Sequence, residues 1–174
     1  MVDVETAYAF TGPTGQDIMY HVLNNNSNVY AYEFTYPSLL SQVGHKWLFP
    51  NYYPVPHSGE LGYVWFGNWD NYLKQGIVNA TDTELANFFG ESWANFIKTG
   101  KPSTDNSWAP ATMASLTGME YMDINPNRQM RQGYRLLDRA QLNRIMPIWV
   151  GQYPQNIPDY NNGSIVPSNL YKTN

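Results

Sequence analysis

Residues Asp82 to Thr99 carry the pattern that most constrains this chain. Leu85, Phe88, Phe89, Trp93, Phe96 and Ile97 recur at helical spacing, with Glu84, Asn87, Glu91, Asn95 and Lys98 opposite. Thr81-Asp82-Thr83-Glu84 has capping-box spacing, and Gly100 with Pro102 supplies the stop. A helix with so broad an aromatic stripe has to lie on something, and the stripe reads as core. The second strong element is Val29–Tyr36, β-branched and aromatic, bounded by Asn28 and Pro37, which reads as a strand. Ile18, Met19, Val22 and Leu23 predict a helix over about Gln16–Leu23 ahead of it, and Asn24-Asn25-Asn26-Ser27 ends that helix. Helix feeding strand indicates an α/β unit with a parallel sheet.

The remaining elements are shorter. Residues 1–12 read as an extended lead-in punctuated by Thr11-Gly12-Pro13-Thr14-Gly15. Gly59–Phe66 reads as a short helix or turn, and Asn68-Trp69-Asp70-Asn71-Tyr72 as a polar-aromatic loop. Met119–Ile124 is a short strand closed by Asn125-Pro126, and a last helix is expected over Arg131–Met146. Arg128, Arg131, Arg135, Arg139 and Arg144 around it read as a solvated or salt-bridged face. So few strands should leave the core short of opposing surface. Residues 1–150 form one unit, and 151–174, rich in Pro, Asn, Gly and Ser, read as a poorly ordered tail.

In an open α/β sheet, ligands sit beyond the carboxyl ends of the strands. The stretch 37–56 leaves that end of Val29–Tyr36 and delivers Pro54-Val55-Pro56-His57-Ser58-Gly59-Glu60. Two prolines fix the backbone before His57 and Gly59 frees it after, which aims a side chain rather than filling a core. An aimed histidine is a candidate general acid and base, against the plainer reading of a turn histidine of no consequence. His45 reads as surface and His21 as a satisfied structural histidine. Trp47, Leu48, Phe49, Tyr52 and Tyr53 are too apolar for a solvated linker and line a cleft or pack under other chain.

His57-Ser58-Gly59-Glu60-Leu61-Gly62-Tyr63-Val64 resembles the H-G-x-E-L-P-Y-V-F-G segment of type-B carboxylesterases and cholinesterases. Asn28-Val29-Tyr30-Ala31-Tyr32-Glu33-Phe34 resembles their N-V-Y-x-Y-x-F strand, and Trp93–Pro102 their W-A-N-F-A-x-T-G-x-P segment. Tyr121–Pro126 resembles Y-L-x-L-N-P, with Asn143-Arg144 matching a later pair. Four segments in one order cover about Val4 to Trp149. Ser58 replaces the usual glycine, and Gly62 a frequent proline. The resemblance implies the C-terminal third of an α/β-hydrolase: edge strands of the central sheet, the loop bearing the triad histidine, and flanking helices. It implies that His57 is that histidine and that Glu60 is a buried supporting carboxylate, not the triad acid. Nucleophile, acid and oxyanion hole then lie upstream, supplied by the N-terminal part of the same hydrolase domain, and no Gly-x-Ser-x-Gly occurs in this chain.

An ester substrate for the full-length protein is implied by the same resemblance, with this chain alone expected to be inactive. Cholinesterases usually carry an aromatic two positions after the histidine; Gly59 stands there, which favours a generalist carboxylesterase. The alternative is a non-catalytic cholinesterase-like adhesion or binding module on the same fold. An independent carbohydrate binder, suggested by 14 Tyr and 6 Trp, is a third class. The absence of cysteine excludes disulfides and thiol chemistry, so a bridge common in eukaryotic members, whose ends would fall near Gly12 and Arg139, is missing. His57 and Glu60 are too few ligands for a closed metal site, and no cofactor is expected. Ten scattered Lys and Arg and a net charge of −4 argue against nucleic acid, and no apolar run reaches membrane-spanning length. Sequons at Asn25, Asn79 and Asn162 permit glycosylation and, with the resemblance, favour a secreted location.

Overall fold

A computed structural model describes residues 2–44, 51–112 and 118–150. His45, Trp47, Leu48, Phe49, the tail and Asn162 lie outside the described residues. The three strands β1 (Ala31–Phe34), β2 (Tyr121–Ile124) and β3 (Gln129–Arg131) form one sheet in the order β1-β2-β3. β1 and β2 are parallel, with Ala31 opposite Tyr121 and Phe34 opposite Ile124. β3 returns antiparallel, Tyr121 opposite Arg131. The parallel pair is the α/β arrangement expected. β3 is not: it takes Arg131, the first residue of the expected last helix, into the sheet with Gln129 and Met130. Arg131 explains it in part, because its Nε donates to the Asp123 carboxylate on the neighbouring strand at 2.6 Å.

Period-two alternation along the strands builds a layer on each face. Phe34, Met122 and Ile124 face Leu85, Ala86 and Phe89 of α5 (Ala80–Thr99), with Tyr63 and Trp108 completing that cluster. Ala31 faces the other way, toward Ile18 of α2 (Gly12–Leu23), Met119 and Tyr134. Leu85, Phe89, Tyr63 and Ile124 are fully buried. The stripe of α5 runs past its support, however: Phe96 is 44% and Ile97 80% exposed, because four-residue strands do not reach the helix's last turn. Leu137 and Trp149, both 80% exposed, show the same surplus of apolar surface at the other end of the chain.

The cap of α5 is two residues upstream of the sequence pattern. Asn79 is extended, its side chain accepts from Asp82 N–H, and Asp82 accepts from Asn79 N–H at 2.9 Å. Asp82 is also fully buried and accepts the Tyr63 hydroxyl at 2.7 Å. Tyr63 has one proton and a carboxylate only accepts, so the Ser38 hydroxyl, 2.5 Å from Tyr63 Oη, donates to it. Burial holds the Tyr63 hydroxyl far above the usual phenol range, the Ser38 contact opposes this and Asp82 adds to it, so the tyrosine stays a donor. Asp82→Ala removes the cap and an acceptor from a buried hydroxyl, and should cost roughly 2–4 kcal/mol in urea unfolding. A cost below about 1 kcal/mol would show that the network is dispensable.

Residues 2–23 are helical throughout, where an extended lead-in was expected. α1 (Val2–Thr6) passes into a π turn (Ala7–Thr11) and then α2. Gly12 N–H bonds the Ala7 carbonyl five residues back. The last helix does the same: α6 (Leu136–Ala140), a π turn (Gln141–Ile145) and α7 (Met146–Val150), with Met146 N–H on the Gln141 carbonyl. In both, proline stands second after the π turn, Pro13 and Pro147. A proline ring collides with the carbonyl four residues back, and widening the turn makes room for it without ending the helix. Gly12 and Gly15 then serve close packing rather than punctuation. A Cβ at Gly12 would lie 2.7 Å from Leu142 Cδ1, and one at Gly15 2.8 Å from Arg139 Cγ. Thr11 Oγ1 donates to Asp138 at 2.7 Å and Asn143 Nδ2 to the Gly12 carbonyl at 3.0 Å. Close packing and these bonds hold the two helices together.

Arg135 pairs with Glu33 at 2.5 Å, as a salt-bridged face requires. Arg139 departs from that reading: it is buried, and its Nη1 donates to the carbonyls of Gly118 and Tyr134. The 68–72 stretch is the helix α4 (Trp69–Lys74), not a loop. His21 is exposed on the last turn of α2 rather than enclosed.

Candidate active site

The His57 turn is held on both sides. Upstream, the Pro54 carbonyl accepts Gln42 Nε2 at 2.9 Å, and Val55 packs against the α5-side core. Downstream, α3 (Leu61–Trp65) buries Tyr63 and ties it to Ser38 and Asp82. Between these anchors the chain reverses, with Gly59 N–H on the Pro56 carbonyl at 3.0 Å and Leu61 N–H on the Ser58 carbonyl at 3.1 Å. Ser58 sits at φ 64°, in the left-handed region. That is the position where the resembled segment has glycine, and a Cβ there costs about 1–2 kcal/mol. Gly59 is buried, and a Cβ would lie 3.0 Å from the Pro56 carbonyl oxygen, which leaves little room for a side chain.

His57 is thereby presented in the open. One face of its ring is stacked on Phe10, centroids 4.3 Å apart and planes 25° from parallel. Imidazole nitrogens bond in the ring plane, so a face stack leaves both available for proton transfer. Phe10 lies on the π turn after α1, a segment whose sequence read as extended, and no pattern in the sequence pointed to it. Glu60 is half-buried, and its Oε1 accepts the Tyr32 hydroxyl at 3.3 Å. Burial, then the Glu60 charge and bond, push the Tyr32 hydroxyl well above the phenol range, so it remains a donor to that carboxylate. Tyr32 stands in β1 against Phe89, Trp93 and Trp108, so Glu60 is tied to the sheet.

Gly90-Glu91-Ser92-Trp93-Ala94 departs from the esterase nucleophile motif only at its last residue. It lies within α5 and Ser92 is 4% exposed. A nucleophile elbow needs a sharp turn between strand and helix that presents its serine. Ser92 therefore cannot act as one. Among the described residues, no group of three or more His, Cys, Asp or Glu could hold a metal ion, and no helix is long and apolar enough to cross a membrane. Tyr52 and Tyr53 are exposed, and Asn25 and Asn79 present exposed sequon side chains.

The sheet carries helices on both faces, and the turn after Pro56 presents the His57 imidazole to solvent. A sequence model of the carboxylesterase family matches residues 1–141, and the chain belongs to that family. It is 30% identical over 128 residues to the bile salt-activated lipase of Bos taurus, covering 72% of this chain and 20% of that protein. It is also similar to a solved PNB esterase, at 22% identity and a TM-score of 0.47, over 66% of this chain and 21% of the other. The chain thus spans about a fifth of the length of these relatives.

Proposed function

We propose that this chain forms the C-terminal part of the catalytic domain of a carboxylic-ester hydrolase and supplies its triad histidine, His57. The observation that carries the reading is the presentation of His57: an exposed imidazole on a turn anchored at both ends, in a chain of the carboxylesterase family. In such a site the histidine takes the proton of an attacking serine, returns it to the departing alcohol, and repeats the exchange with water in the second half-reaction. The serine, the acid and the oxyanion donors come from the N-terminal part of the same domain. Glu60, held by Tyr32, supports the turn rather than orienting the imidazole. The substrate is a small-molecule carboxylic ester, and the sequons at Asn25 and Asn79 suit a secreted glycoprotein.

The binding-module reading has no observation of its own in the structure. A carbohydrate platform fares no better on its nearly coplanar pair: Phe88 and Trp108 lie 8° from parallel, but Trp108 is 3% exposed.

The 174 residues alone should hydrolyse a nitrophenyl ester no faster than free imidazole at equal concentration, since triad members act as a unit. Joined to the serine-bearing portion of the domain, they should give saturable hydrolysis. Saturable activity of the chain alone that disappears in His57→Ala would overturn the division of labour proposed here.

A further inference from the structure

We propose that Phe10 is a positioning residue for His57, an inference that rests on the triad reading above. The two residues are 47 positions apart and belong to different elements, yet their rings stack at 4.3 Å and 25°. Phe10 is otherwise poorly used: it is 40% exposed and belongs to neither buried cluster.

Its mounting is rigid where its ring is free. The next residue, Thr11, is buried and donates to Asp138 of α6 at 2.7 Å. Gly12 fits against Leu142 with no room for a side chain, and its carbonyl accepts Asn143 Nδ2. The π turn sets the direction of Phe10. Inserting one residue into a helical turn rotates the helix before it relative to the helix after it, so the wide turn that accommodates Pro13 also determines where Phe10 faces. His57, for its part, sits on a turn between glycine and proline, and nothing in that turn fixes its side-chain torsions. A ring mounted on the opposing helix does so.

The choice of a phenyl face suits a residue that cycles its charge. Neutral imidazole stacks on it by dispersion, and imidazolium gains attraction from the ring quadrupole. An ionic or hydrogen-bonding clamp would favour one protonation state far more strongly than a phenyl face does, and would occupy a nitrogen. Phe10 restricts the ring in both states and leaves the in-plane nitrogens to the serine and the acid.

The test is carbethoxylation by diethyl pyrocarbonate, read by peptide mass spectrometry on the 174-residue chain in buffer and in urea. His57 should react severalfold more slowly in buffer than in urea, because the stacked ring crowds the approach of this bulky reagent while a proton still reaches the nitrogens. Phe10→Ala should bring it to the urea rate, Phe10→Tyr should retain the protection, and His21 should be unchanged in all three. In the complete hydrolase, Phe10→Ala should lower kcat roughly 10- to 100-fold with KM little changed, since small misplacement of a reacting group costs on that scale. Phe10→Tyr should restore kcat. His57 labelling at the urea rate in the wild-type chain, or protection surviving Phe10→Ala, would overturn the proposal. Full activity of His57→Ala with the labelling pattern intact would instead remove the triad reading, and with it the catalytic consequence of the stack.

Discussion

On the proposed triad role, His57→Ala in the complete protein should lower kcat for a carboxylic ester by about 10⁴-fold, the scale on which a triad loses a member. The loss should fall on kcat rather than KM, because an imidazole in the proposed role acts on protons in flight and not on the bound ester. His21→Ala is the control for a general effect of removing a histidine, since His21 is exposed on the end of α2. His45→Ala serves the same purpose within the segment leading to the turn. Steady-state kinetics on a nitrophenyl ester decides the matter. An active His57→Ala enzyme, or an equal loss in His45→Ala, would reject His57 as the base.

Phe89→Ala should cost about 3–5 kcal/mol, the range for emptying a fully buried phenylalanine site. Phe89 is 0% exposed and meets Tyr32, Phe34, Tyr63 and Trp93 at centroid distances between 5.3 and 6.3 Å. None of these can collapse into the space easily. Tyr32 and Phe34 are fixed in β1, and Tyr63 is held by Ser38 and Asp82. Ile97→Ala, eight residues along the same helix at 80% exposure, should cost within about 0.5 kcal/mol. The urea midpoints of the two variants measure this directly. Equal costs would mean that the apolar surface around Ile97 is covered, and that the helix is packed along its whole length. Since domains are commonly stable by only about 5–15 kcal/mol, Phe89→Ala should also lower the amount of folded protein.

The elements legible in the sequence were those written in consecutive residues. The helix α5 shows its period, its polar opposite face and its glycine stop locally, and the structure moved only its first turn, because Asn79 and Asp82 make the reciprocal cap that Thr81 and Glu84 were expected to make. The β1 strand shows its β-branched and aromatic run, although regular pairing covers only Ala31–Phe34. The His57 turn is visible because proline fixes the backbone and glycine frees it wherever they stand. The φ of 64° at Ser58 accounts for the glycine that the resembled segment carries there, and nothing in the structure explains the serine that replaces it.

What the sequence could not decide depends on partners far along the chain. Pro13 looks like a helix breaker until a π turn makes space for it, and Gly12 and Gly15 look like punctuation until Leu142 and Arg139 lie against them. β3 is favoured in part because Arg131 meets Asp123 across a hairpin, a gain that helical periodicity does not contain. Phe10 reaches His57 only when the N-terminal helix, held by Asp138 and Asn143, lies across a turn 47 residues away. The sequence alone singled out His57 as the candidate proton carrier, because proline, glycine and imidazole act locally and the segment around it resembles a family motif. The tertiary structure alone brought the Phe10 ring onto that imidazole, because a stacking contact has no sequence period.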